Sequence, residues 1–154
     1  MSEHTMHASK AVYRTFAIEL AIDFAIMYFV MYTMIASFGH FYFNVSSVYM
    51  TLMMVSPMAI VMLVSMRSMF QRQKRNLAIA IAAVAVFALS FVGMRTQAAV
   101  GDRQFLRSMI PHHSGAILMC EQASLTDPDV VSLCREIVAA QRIEIAKMEQ
   151  LLAR

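Results

Sequence analysis

The hydrophobic pattern changes character about two thirds of the way along the chain. Up to about residue 94 the apolar residues come in near-continuous runs, at 16–38, 45–66 and 77–94. Each run is close to or above the roughly 20 residues a helix needs to cross a bilayer, which predicts three membrane spans. Beyond residue 95 the apolar positions recur every three or four residues instead, the period of amphipathic helices. Gly101-Asp102 opens the first of these, with Asp102 as its N-cap. That helix runs to about Ala123 and contains Pro111, which removes one backbone hydrogen bond and bends the chain just before two histidines. Leu125-Thr-Asp127-Pro128-Asp129 then marks a loop and a new start, with Asp127 as cap and Pro128 at the first helical position. The second helix continues to about Leu152. The expected architecture is all-α: a tail over 1–15, a membrane domain over 16–94, and an antiparallel two-helix hairpin within 95–154. Pro57 sits in the second span as a tolerated kink. No internal repeat or low-complexity run interrupts this plan.

Composition and charge add a side to the membrane. A hydrophobic fraction of 59% against 15% charged residues is too apolar for an ordinary soluble domain. The net charge of +3 lies wholly in the first 94 residues, because acidic and basic side chains balance over 95–154. Arg67, Arg72, Lys74 and Arg75 crowd the 67–76 link, whereas residues 39–44 hold no Lys or Arg. The positive-inside rule therefore assigns that link, and the tail with Lys10 and Arg14, to the cytoplasm. Charge placed this way speaks for a lipid bilayer as partner and against nucleic acid. Three spans carry 95–154 to the outer side, the periplasm if the bilayer is a bacterial inner membrane. No small-residue cleavage site follows a short apolar core, so no removable signal peptide is expected. His4-Thr-Met6-His7 offers soft-metal ligands, although a floppy tail is the simpler reading.

Candidate chemistry gathers in one stretch. Met109, His112, His113, Met119 and Cys120 put two imidazoles, two thioethers and a thiol within about three helical turns. Phe105, Met109, His112, Ala116 and Met119 follow the 4-3-4-3 spacing of a buried seam. Val130, Cys134, Ile137, Gln141, Glu144, Met148 and Leu151 do the same on the second helix, and polar groups in such a seam need partners. A tight turn at 123–127 supplies them. It sets Cys120 opposite Cys134, both histidines opposite Gln141, and Met109 opposite Glu144 with Met148 a turn beyond. Imidazole nitrogen with thioether sulfur suits copper, Cu(I) most of all, whereas zinc more often recruits thiolates and carboxylates. Gln141 or Glu144 would then stand behind the ligands and fix which imidazole nitrogen carries the proton. The bland alternative is that the histidines are packed and hydrogen-bonded and the methionines fill a core. Cys120 and Cys134 leave three readings open: a disulfide in an oxidising compartment, two thiolates for Cu(I), or two small buried residues that never meet.

Asp102, Phe105-Leu106, Met109-Ile-Pro-His-His113, Ala116-Ile117 and Met119, followed by Leu133, Ile137, Gln141, Glu144-Ile145 and Met148, resemble domain-of-unknown-function family 305 over about residues 100–152. The resemblance implies a helical, ferritin-like outline and a link to periplasmic copper binding and copper tolerance. It implies Met109, His112, His113, Met119 and Met148 as the candidate ligands. Cys120 and Cys134 depart from the family's usual pattern. A single hairpin, where longer relatives carry two, suggests that two chains combine into a four-helix bundle, because one hairpin alone buries little apolar surface.

The spans carry soft ligands too. Met50, Met54, Met58, Met62 and Met66 recur every four residues, with Met53 and Met69 flanking. Steps of four drift by about 40° each, so the row is a slanted stripe. Glu19, Asp23, Met27 and Met31 make a similar row on the first span, continued by Met34 and His40. Facing each other, the rows would form a Cu(I) path with carboxylates at its cytoplasmic end; as plain packing, they are acceptable apolar residues in lipid. A mid-span carboxylate costs about 2.5–3.5 kcal/mol, so Asp23 should face another helix, be protonated, or pair with a cation such as Arg67. The function expected is a membrane-anchored periplasmic copper-binding protein acting in buffering, tolerance or delivery. It would work as a homodimer or larger homo-oligomer and exchange metal with a periplasmic copper protein. A Cu(I) transporter and a metal-free membrane assembly protein are the alternatives. An enzyme is not expected, since no nucleophile with its base, oxyanion donors or cofactor loop accompanies the histidines, and Ser108 and Ser114 have no matching acid.

Overall fold

A computed structural model describes the backbone of residues 3–154 and the side chains from residue 11 onward. The described residues are all-α, with five helices and two short 3-10 turns. These are α1 (Glu3–Val30), turns at Met31–Met34 and Phe38–His40, α2 (Val45–Ser65), α3 (Gln73–Thr96), α4 (Asp102–Gln122) and α5 (Pro128–Leu152). Three stretches are long and apolar enough to cross a membrane: Ala11–Met34, Val45–Ser65 and Gln73–Thr96. The expected tail over 1–15 is helical from Glu3 and continuous with the first span. The metal reading of His4, Met6 and His7 concerns side chains outside the described residues.

Two boundaries move. The first span does not reach residue 38: α-helix gives way to a 3-10 turn at Met31 and to extended backbone at Ile35. The third helix starts earlier than residue 77, because the Arg75 and Asn76 amides both bond to the Arg72 carbonyl and wind Lys74 and Arg75 into its first turn. Long basic stems can lie along a helix end while their charges stay in water, so the extra turn is compatible with a membrane span.

The chain forms two compact units, one from residues 1–29 and 48–98 and one from 30–47 and 99–154. In the first unit, which holds the three candidate spans, buried Phe16, Ala59, Leu63, Phe70 and Ala83 make the core. The 66–72 link is tied to α1: Tyr13 donates to Asn76 Oδ1 at 2.6 Å, and Asn76 donates back to the Phe70 carbonyl at 2.7 Å. Arg75 lies 4.8 Å from the Tyr13 ring centroid, a cation–π contact. At the other end a Cβ on Gly93 would sit 2.9 Å from the Tyr49 ring, so a larger residue there would make the ring shift. The Tyr49 hydroxyl donates to the Ala98 carbonyl beside it, at 2.9 Å.

The second unit is the expected hairpin with a cover that the pattern does not announce. Its core is Ile110, Ile117, Ile145 and Met148, flanked by Tyr42, Leu106, Met109, Val138 and Leu152. Asp127 caps α5 by accepting from the Asp129 and Val130 amides, with Pro128 at the start of the helix. On α4 the N-cap is Gly101, not Asp102, which lies in the first turn. There its carboxylate still complements the positive end of the helix dipole. The helix runs on through Pro111, which cannot bond back to the Arg107 carbonyl. Residues 30–47 fold against α4. The Ala36 amide donates to Ser114 Oγ at 2.8 Å, and the Val45 amide donates to Gln104 Oε1 at 3.2 Å. Within the cover Tyr32 donates to the Tyr42 carbonyl at 2.7 Å and receives the Asn44 amide at 3.0 Å.

Candidate metal centre

The buried row on α4 is Leu106, Ile110, Ser114 and Ile117, not the expected row Phe105, Met109, His112, Ala116 and Met119. Both rows have helical spacing. The first wins because it sets Leu and Ile against α5 and small, polar Ser114 under residues 30–47. On α5 the row rotates likewise, toward Val138, Ile145, Met148 and Leu152. Phe105 and Met119 are left 50% and 60% exposed, and His112 is exposed with them.

His113 holds the centre. Its side chain is 13% exposed, and Nε2 lies 2.8 Å from Glu144 Oε2. Nδ1 lies 2.8 Å from the Met109 carbonyl. A carbonyl only accepts, so Nδ1 carries a proton and donates; the contact between Nε2 and Glu144 needs a second proton between them, which a metal bound at Nε2 would displace. The two imidazole centroids are 6.0 Å apart, with planes at 66°. His112 has no hydrogen-bond partner among the described residues. Met109 packs on the hairpin core half-buried, and Met148 is buried within it.

The residue of α5 that His113 meets is Glu144, one turn beyond the Gln141 that the tight-turn register sets opposite it, whereas the Cys120–Cys134 level of that register holds. The connection is extended at both Ala123 (ψ 137°) and Asp127 (ψ 123°). Gln141 sits half-buried nearby. The cysteines are a disulfide: Cys120 and Cys134 are bonded, with Cα atoms 5.3 Å apart. As long as that bond holds, neither offers a thiolate to a metal. Among the described residues no three His, Cys, Asp or Glu side chains gather into a metal-ligating group.

On the opposite flank of α4, Ser114 is fully buried. It accepts the Ala36 amide and pairs with His40 Nδ1 at 2.8 Å. The row on the first span that His40 continues gives no sign of its pairing with Ser114. Beside it a groove of about 350 Å³ runs between residues 36–40 and the hairpin, walled by Glu149 and the Glu121–Arg142 ion pair (2.7 Å).

In the first unit the packed row of α2 is Thr51, Val55, Ala59 and Leu63. Met50, Met54, Met58 and Met62 lie beside it half-buried, and Met66 is exposed. On α1, Glu19 is exposed, and Asp23 and Met27 are half-buried, as is Met31 in the turn that follows. Among the described residues Asp23 makes no ion pair, with Arg67 or any other cation.

Comparison with known proteins places the hairpin. Residues 91–152 match the family model described as "Domain of unknown function (DUF305)". Among curated proteins the chain is similar to an uncharacterized protein, L153, of Acanthamoeba polyphaga mimivirus. The two are 33% identical over 118 residues, covering 75% of this chain and 76% of that one. No solved structure matches. The matched family segment contains α4 and α5 with every residue of the candidate centre, and a relative of that identity shares most of the chain, so this protein belongs to the DUF305 family.

Proposed function

We propose that the chain is a membrane-anchored copper-binding protein, held in a bacterial inner membrane by three spans and displaying the hairpin in the periplasm for copper buffering, tolerance or delivery. The observation that carries this reading is His113. Its Nδ1 donates to the Met109 carbonyl, and its Nε2 pairs with Glu144 beside His112, which has no hydrogen-bond partner among the described residues. Fixing the tautomer through a backbone carbonyl is how proteins prepare a histidine to ligate through the other nitrogen. His112, His113, Met109 and Met148 would hold the ion, with Glu144 alongside. Met119 contributes only from a neighbouring surface position. Bound copper would supply a soft, exchangeable cation, and imidazole with thioether is a donor set that favours Cu(I) over zinc.

Transport is the weaker reading, because the methionine row lies beside the packed face of α2 and not on it. The test is copper content of the full chain purified from membranes after growth with copper. Wild type should retain copper, and His112→Ala/His113→Ala should not. Equal copper in both, or none in either, would refute the assignment.

A further inference from the structure

The flank of the hairpin that carries His112 is apolar and uncovered. On α4, Phe105 and Met119 are about half exposed, and His112 between them is exposed. On α5, Leu133 and Leu151 are 55% and 41% exposed, with Val130 at 41%. The other flank of α4 is already closed by residues 30–47 through Ser114.

This bare face has an internal symmetry. Phe105 and Met119 each stand seven residues from His112, and Ile137 and Leu151 each stand seven from Glu144. Seven residues are nearly two full turns, so each set lies on one row. His112 and Glu144 are level, because the neighbouring His113 touches Glu144. A two-fold axis across the helices at that level sets Phe105 of one copy on Met119 of the other, and Ile137 on Leu151. It also gathers the His112, His113 and Glu144 of both copies at the centre.

We infer that a second copy of this chain docks on this face, closing a four-helix bundle, and that the copper centre proposed above, on which this inference rests, is shared across the axis. The area fits. Phe105, Met119 and Leu151, the large exposed apolar side chains that the axis covers, amount to on the order of 300 Å² per copy, the size of the largest patch a monomer ordinarily leaves bare. At an apolar share of about 60%, that corresponds to roughly 500 Å² per partner, about the 1,000 Å² in total that a specific interface must clear. The chemistry fits as well. One chain alone assembles no three-group His/Cys/Asp/Glu site among the described residues, whereas the axis brings together two such partial sets. Two Glu144 carboxylates drawn into one desolvated layer repel unless a cation lies between them.

The test is native mass spectrometry of the full chain in mild detergent, with copper measured on the same samples. Wild type is compared with Phe105→Glu, Leu151→Glu and His112→Ala, and an intact Cys120–Cys134 disulfide with unchanged helical circular dichroism serves as the folding control. Wild type should be a copper-holding dimer. Both glutamate variants should be monomers that have lost copper although every candidate ligand is intact, and His112→Ala should be a dimer without copper. A monomeric wild type, or glutamate variants that stay dimeric, would overturn the interface and leave lipid or solvent on this face. Monomeric variants that keep their copper would place the whole site in one chain. A dimer dissolved by the glutamates but copper-free in every form would uphold the interface and refute the copper reading.

Discussion

His113 and Ser114 are adjacent and face opposite ways, and the difference defines what each can do. His113 keeps one nitrogen toward a carboxylate at a partly open flank. Ser114 has no exposure and spends its oxygen on Ala36 and His40. A serine hydrogen-bonded to a histidine invites a catalytic reading, but a hydroxyl sealed from solvent and occupied by a backbone amide is placed to fasten the cover to the hairpin. Ser114→Ala should therefore cost about 1–3 kcal/mol, the penalty for leaving buried polar groups unpaired. Denaturant unfolding should show that loss while copper affinity is unchanged. A selective loss of copper with stability intact would assign Ser114 to the metal. At this scale the sequence was partly legible. The Met-Ile-Pro-His-His run marked the right turn of helix, but which histidine is held was not readable. Both positions fit a helical seam, and the choice depends on Ser114 needing cover next door.

The hairpin itself was the most legible element. The α5 cap, the loop and the pairing level of the two cysteines follow from local chemistry: Asp-Pro is a favoured helix start, and 4-3 spacing repeats over six turns. What failed was rotation by one residue on α4 and the register at Glu144, because a pattern with two usable rows leaves the face to the tertiary partner. The end of the first span failed for a related reason. Residues 35–38 are apolar enough to continue a transmembrane helix, yet they belong to the cover over α4. The Cys120–Cys134 bond spans a separation of 14 residues, and closing a loop of that size restricts the unfolded chain by about 3 kcal/mol. Reducing it, or introducing Cys120→Ser/Cys134→Ser, should lower the unfolding free energy of the hairpin by that order in urea titrations. An unchanged midpoint would mean that the bridge adds nothing to the folded hairpin.

For the whole molecule, a three-span topology puts residues 39–44 and 95–154 on the same side of a bilayer, and the structure folds 30–47 and 99–154 into one unit. The basic link stays with the other unit, where Tyr13 and Asn76 tie it to α1. The orientation proposed from its charge can be read with a membrane-impermeant maleimide on intact cells. Exposed Ser124→Cys, in the hairpin loop, should react from outside, and exposed Ser68→Cys should react only after lysis. The reverse pattern would invert the protein and remove the hairpin from the periplasm.

The central claim is that imidazole and thioether groups from α4 and α5 converge on one copper ion. Copper K-edge X-ray absorption of the Cu(I)-loaded full chain, with the disulfide intact, reads that convergence directly. The account predicts a first coordination shell of both nitrogen and sulfur, with the sulfur contribution falling in Met109→Leu/Met148→Leu and the nitrogen contribution falling in His113→Ala. A shell of nitrogen and oxygen alone, unchanged by the methionine substitutions, would contradict it.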